Sequence, residues 1–285
     1  MNKVTRLKYY IESLCIYDFE DDDVFSALYD LLCDDEEDTV ALQSYFFKEL
    51  AKSESLKRHI SRLILTNDNI FTKAACAGKV NELSIAVINA VKSDLAKLEE
   101  IASLTAQDIL ADIDDEDIKE ILLTLPGWEV GKPLAPLDSH WDRQLDELIK
   151  YHRENGYGIY AKNIAFTWRD EEITPVNSID PIRLTDLKNY ELQRNKVIDN
   201  TESFIAGHPA NNVLLYGDRG TGKSSTVHAI LNEYWQKGLR MIEIPKSAVA
   251  DLSLIREQIA DSPMKFIIYI DDLSFDSNET SFSEL

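Results

Sequence analysis

The stretch Val213–Ser225 reads V-L-L-Y-G-D-R-G-T-G-K-S-S. An apolar run, Val213 to Tyr216, meets a glycine-rich turn that delivers Lys223 and Ser224. Gly217, Gly222, Lys223 and Ser224 stand in the fixed places of the phosphate-binding pattern G-x-x-x-x-G-K-[ST]. Glycines let the backbone bend until several N–H groups point into one concavity, which suits polyphosphate oxygens. A helix starting at Lys223 adds its positive N-terminal end. Gly217, Asp218, Arg219, Gly220, Thr221, Gly222, Lys223, Ser224 and Ser225 are therefore the candidate nucleotide-binding loop. In it Lys223 reaches the β/γ-phosphates and the Ser224 hydroxyl holds Mg²⁺. The pattern predicts a strand over Val213–Tyr216 and a helix from Lys223 to about Lys237, ended by Gly238.

Downstream, strand and helix signals alternate. Arg240–Ile244 reads as a strand closed by Pro245, Asp251–Ala260 as a helix, and Lys265–Ile270 as a strand. The last is almost wholly apolar, as a strand covered on both faces should be. This alternation predicts a parallel α/β sheet of the P-loop NTPase class. The strand ends in Asp271-Asp272. An acid delivered at a strand's carboxyl end completes a phosphate-loop site, with Asp271 in the metal shell and Asp272 polarising the attacking water as general base. A full strand and helix separate the loop helix from this acid, the order of ATPases with an additional central strand. That order disfavours small-molecule kinases and GTPases.

The form G-D-R-G-T-G-K-S-S resembles the loop of AAA+ ATPases. The stretch from Leu184 through Phe275 resembles the bacterial ATP-binding proteins grouped as domain-of-unknown-function family 815. This resemblance implies ATP and Mg²⁺ as ligands, a bacterial cytoplasmic setting, adenine contacts near Leu187, and a ring-shaped homo-oligomer, usually a hexamer. The Asp-Asp pair is similar to that of replication initiators and helicase loaders, where most AAA+ proteins carry Asp-Glu. In the family's sheet order, 5-1-4-3-2, a fourth strand with a polar sensor lies between the first and third. That strand, the arginine finger, the fifth strand and the helical lid would all follow Leu285. The expectation is an incomplete AAA+-type sheet that binds nucleotide without efficient turnover, with the run Val213–Tyr216 short of a partner on one side.

The rest of the chain reads as helix. The net charge of −21 over 285 residues falls mainly on residues 1–150, which hold 16 basic and 31 acidic side chains. A field of that sign repels phosphate backbones, so no direct nucleic-acid contact is expected, and an acidic helical domain suits a protein partner. Helical spacing recurs through Leu7, Ile11 and Leu14, through Val24, Leu28 and Leu31, and through Ile118, Ile121 and Leu122. Asp21–Asp23 and Asn69 read as N-caps, and Gly78 as a helix end. His59 reads as a boundary histidine on a packed helix. The acidic run Asp112–Asp117 lacks the spacing and glycine of a calcium loop and reads as a helix boundary. Cys15, Cys33 and Cys76 form no C-x-x-C pair, which fits a reducing cytosol. No apolar run of membrane-spanning length appears.

Three segments follow. Residues 1–125 form an all-helical domain. Residues 126–183 form a connecting segment with one helix and a β-prone stretch, Ile159–Trp168, read as an extended segment or edge strand. Residues 184–285 form the first part of an AAA+-type domain. The leading functional reading is a Mg-ATP-binding ATPase module whose cycle drives a partner or a conformational change. One alternative is a non-hydrolysing nucleotide-dependent switch or interaction protein. The other is a helicase-loader-like ATPase.

Overall fold

The computed structural model describes residues 1–34, 38–53, 55–176, 178–260 and 262–271. The chain divides into two compact units, Met1–His152 and Arg153–Leu285. Among the described residues, no helix is long and apolar enough to cross a membrane.

The first unit is helical. It contains α1 (Lys3–Glu12), α2 (Asp23–Cys33), α3 (Thr39–Leu50), α4 (Leu56–Leu65), α5 (Ile70–Ala77), α6 (Ile85–Ile101), α7 (Ala106–Leu110) and α8 (Glu116–Leu122), and α9 (Leu145–Asn155) begins in it. The apolar stripes of these helices close on one core that holds Leu7, Leu28, Phe46, Ile60, Leu95, Leu98 and Trp141. Local signals set the helix ends. The Asp22 carboxylate accepts the Phe25 N–H to start α2. Asn69 and Thr72 exchange bonds in a capping box at α5, which Gly78 ends in the left-handed conformation. Asp115 accepts the N–H groups of Asp117 and Ile118, so the acidic run does mark a helix start.

Residues expected in the connecting segment pack into this unit as well. Trp128 donates its indole N–H to the Leu104 carbonyl at 2.9 Å, and the Glu99 carboxylate accepts the backbone N–H groups of His140 and Trp141 at 2.9 and 3.0 Å. Deeper in the unit, the fully buried Asp94 on α6 accepts three N–H groups from the turn after α1. His59 is buried with both ring nitrogens engaged, at 2.8 Å from Ser53 Oγ and 2.8 Å from Asp22 Oδ1.

Two carboxylates make the stability of this unit pH-dependent. Burial alone would raise the Asp22 pKa, but hydrogen bonds from His59 and the Phe25 N–H outweigh it and hold the group below its ordinary value. Asp108 is likewise subject to burial, outweighed by Lys3 and by the Thr105 side chain and N–H. Both pKa values are depressed in the folded state. Their contribution is therefore present above the ordinary carboxylate pKa of about 4 and is lost as pH falls below it through the lower folded-state values. Urea midpoints read at pH 6 and pH 3 should fall across that window. The double variant Asp22→Asn/Asp108→Asn should show a smaller fall, and an equal fall would remove these two groups as the cause.

The second unit is a sheet between helices. It contains α10 (Gly158–Lys162), β1 (Ala165–Arg169), β2 (Glu172–Pro175), α11 (Glu191–Ile205), α12 (Lys223–Tyr234), β3 (Leu239–Ile244), α13 (Leu252–Ile259) and β4 (Lys265–Ile270). The four strands lie in the order β2-β1-β3-β4. β1 runs parallel to β3 and β3 parallel to β4, with Phe166 opposite Ile242 and Ile242 opposite Ile268. β2 is antiparallel to β1. Period-two alternation sends Phe166, Trp168, Ile242 and Ile244 to one face, against Leu252 and Ile255. It sends Ala165, Leu239 and Met241 to the other, against Ile230, Leu231 and Tyr234. Helices thus cover both faces, and the architecture is α/β with a small, mostly parallel mixed sheet.

Arg240, buried at the start of β3, donates to the carbonyls of Asn155, Tyr160, Trp235 and Leu239 at 2.9–3.1 Å. One guanidinium therefore ties Asn155, α10 and the residue after α12 to the sheet.

Three local expectations need correction. The β-prone stretch Ile159–Trp168 is not an edge strand. Its first part is α10, and β1 lies inside the sheet because β3 supplies a parallel neighbour far along the chain. The rest of the connecting segment, expected to hold no further strand, contains β2, joined to β1 by Asp170 and Glu171 at φ 51° and 62°, the paired positive values of a tight hairpin turn. Finally, Val213–Tyr216 forms no strand, and Val213, Leu214 and Tyr216 are 49, 61 and 88% exposed. Among the described residues the outer edge of β4 has no neighbouring strand, and the run does not pair with that open edge, so it stays outside the sheet.

Candidate functional site

The loop turns on three glycines at positive φ, Gly217 (144°), Gly220 (81°) and Gly222 (82°). Gly222 is the N-cap of α12 in the left-handed conformation, where a side chain would be strained. The Thr221 hydroxyl donates to the Asp218 carbonyl at 2.9 Å, and the Thr226 hydroxyl to the Gly222 carbonyl at 2.8 Å. Lys223 folds back over the loop, its Nζ donating to the carbonyls of Gly217 at 3.0 Å and Asp218 at 2.9 Å. Asp218 and Arg219 are exposed and Ser225 is half-buried. The first turn of α12 carries no acidic residue, so the helix end stays positive.

Side chains on the neighbouring helices anchor segments that flank the loop. Asn200 on α11 exchanges two bonds with the backbone of Asn211, Nδ2 to the carbonyl at 2.9 Å and the N–H to Oδ1 at 2.9 Å. Asn232 on α12 donates to the carbonyls of Asp180 and Ile182 at 2.7 and 2.9 Å. That brings the segment before Leu187 alongside the helix. The Leu187 carbonyl accepts from Arg194 Nη1 at 2.6 Å, and its Cδ2 lies 4.0 Å from where a Cβ on Gly222 would stand. Leu187 therefore sits beside the loop.

The strand end arrives opposite. Ser224 Oγ lies 3.2 Å from each carboxylate oxygen of Asp271, at the carboxyl end of β4. Residues separated by 47 positions in sequence thus meet as a hydroxyl–carboxylate pair. Asp272 lies outside the described residues. Hard oxygen donors of this kind suit Mg²⁺, and the glycine turn with Lys223 and the α12 end suits phosphate oxygens, so these residues fit a magnesium–nucleotide ligand.

Sequence reasoning missed Tyr269. Strand alternation puts it on the same face as Asp271, toward α12, where its ring meets His228 edge-on at 6.2 Å and 87°. Its place two residues before the acid was the available signal. Burial pushes its phenol well above the ordinary tyrosine range; the Ser224 hydroxyl pulls the other way and the Asp271 carboxylate adds to the rise. Asn200, Asn232 and Arg194 carried no signal in sequence, because each acts on backbone carbonyls or amides.

Residues 161–285 match the model of a family described as a protein of unknown function, DUF815, and the match supports placing this segment in that family. No curated protein and no solved structure matches the chain.

Proposed function

We propose that the second unit binds Mg-ATP as an ATPase module of the AAA+ type, coupling the nucleotide cycle to a protein partner or a conformational change. The observation that carries this reading is the Ser224–Asp271 pair at 3.2 Å beside a lysine-bearing glycine loop. In this reading the loop amides and Lys223 hold the phosphates, Ser224 and Asp271 hold the metal, and Leu187 lies against the adenine. Asp272, next in sequence, polarises water. Bound Mg²⁺ supplies charge neutralisation at the β- and γ-oxygens. The placement of β3 and α13 between α12 and β4 in the chain supports the assignment. The acidic first unit is the proposed docking part for a protein partner, in a bacterial cytoplasm and without direct nucleic-acid contact.

The test is calorimetric titration of the full chain with ATP in excess Mg²⁺, where saturable one-site binding is expected. Absence of binding by the folded chain would sink the reading. Phosphate release measured on the same sample separates an ATPase from a switch that binds without turnover.

A further inference from the structure

We propose that the cleft where α3, α7 and α8 meet is the seat of a protein partner, whose docking segment is basic and inserts one aliphatic side chain there. The inference names the partner chemistry for the docking role given above to the first unit, and rests on it. It starts from a polar group in an apolar place. Gln43 on α3 is only 3% exposed, yet among the described residues its Oε1 has no hydrogen-bond partner. A buried amide oxygen is costly to leave unpaired, and native interiors rarely do so unless a donor arrives from elsewhere. Gln43 lines a cleft of about 70 Å³ whose walls include Ala106, Leu110, Leu122, Leu123 and Leu125. Small-molecule pockets run to about 300–1,000 Å³, so this space takes the end of one side chain and not a metabolite. A water would want about two to four polar partners, which these leucines do not offer. An aliphatic side chain with a backbone N–H beside it fits both the walls and the unpaired oxygen.

The rim selects the charge of that partner. Leu123 is 65% exposed and Ile121 is exposed as well, so apolar surface continues from the cleft onto the open face of α8. Glu116, Glu120 and Leu123 are spaced i, i+4 and i+7, which puts them in one stripe, and Asp114, Asp115 and Asp117 are exposed nearby in the chain. Lys119, the one cation of α8, is paired with Glu116 at 2.8 Å. A lysine- or arginine-bearing segment is attracted to such a rim and an acidic one is repelled.

The experiment is fluorescence anisotropy of the full chain with a labelled amphipathic helical peptide of lysine and leucine, repeated for Leu123→Glu and Gln43→Leu. Leu123→Glu alters an exposed side chain and adds a negative charge. Charge attraction alone would then tighten binding of the cationic peptide, whereas loss of the anchor seat should weaken it about tenfold or more. Gln43→Leu should weaken it about three- to tenfold, the contribution of one neutral hydrogen bond, without lowering the melting temperature. Unchanged or tighter binding by Leu123→Glu would overturn the cleft and leave the acidic unit as a docking part for basic segments. No binding by the folded, unsubstituted chain would remove that docking reading and the cleft with it. Should Gln43→Leu not fold by circular dichroism, the Leu123→Glu ratio decides alone.

Discussion

Lys223→Ala is expected to lower the affinity of the full chain for Mg-ATP about 100-fold, since a charge-assisted contact to phosphate contributes about 1.5–3 kcal/mol and each 1.4 kcal/mol is tenfold. The same substitution should leave the melting temperature unchanged or slightly raised. That second half follows from where the lysine sits. Lys223 is the first residue of α12, and its ammonium lies at the positive end of the helix, where a cation is unfavourable. Its bonds go to the carbonyls of Gly217 and Asp218, both exposed residues that water can serve in its absence. Alanine also has the highest helix propensity. A lysine that opposes the local electrostatics of its own helix, and that among the described residues donates to two solvent-facing carbonyls, makes little sense as a stabilising residue. It makes sense as a residue for an anion. Calorimetry with Mg-ATP and thermal melting of the same sample check both halves. Unchanged affinity would remove Lys223 from the proposed site, and a large fall in melting temperature would show that it serves the fold instead.

How far the sequence reaches can be seen residue by residue. Asn69, Gly78 and Asp22 were legible because a cap acts on backbone groups within three or four positions, so its meaning is local. The apolar faces of α1 and α2 were legible for the same reason, whereas on α8 Leu122 is buried and Ile121 is exposed. Strand placement was less so. Periodicity marks Val213–Tyr216 as apolar and β-prone, but a strand exists only when another backbone offers it a ladder, and the sequence of one segment does not name its neighbour. The opposite error at Ala165–Arg169 has the same source, because its partner β3 lies far downstream. At the site, the loop and Asp271 were legible because the phosphate pattern and the strand-end acid each carry their chemistry in a short motif. That Ser224 and Asp271 meet could be inferred only through the fold, and Tyr269 was hidden inside a run that reads as core. Asp94 was invisible for a different reason. Nothing distinguishes it in sequence from the many carboxylates of an acidic domain, although its position is unlike theirs.

Asp94→Ala is expected to destabilise the first unit by about 3–5 kcal/mol, because it orphans three backbone donors at once, the buried one of Tyr17 and the part-buried ones of Cys15 and Ile16, each at about 1–3 kcal/mol where buried. Asp94 is fully buried, and its Oδ2 accepts the N–H groups of Ile16 at 2.7 Å, Cys15 at 2.9 Å and Tyr17 at 3.3 Å. Three successive amides converging on one oxygen set the turn that leads from α1 to Tyr17 and Phe19, both core residues. The charge is offset locally. Lys97 Nζ lies 3.6 Å from Oδ1, too far for a hydrogen bond but close enough for attraction, and donates to the Ser13 carbonyl at 2.6 Å. Alanine would remove the acceptor and leave the lysine without its counter-charge. Asp94→Asn keeps an oxygen for the amides and loses only the charge, so its destabilisation should be smaller, about 1–3 kcal/mol. Urea unfolding of the full chain, followed by circular dichroism, gives both values. Equal costs for alanine and asparagine would mean that the charge, and not the converging amides, sets the contribution of this residue. The turn would then be held by the packing of Tyr17 and Phe19.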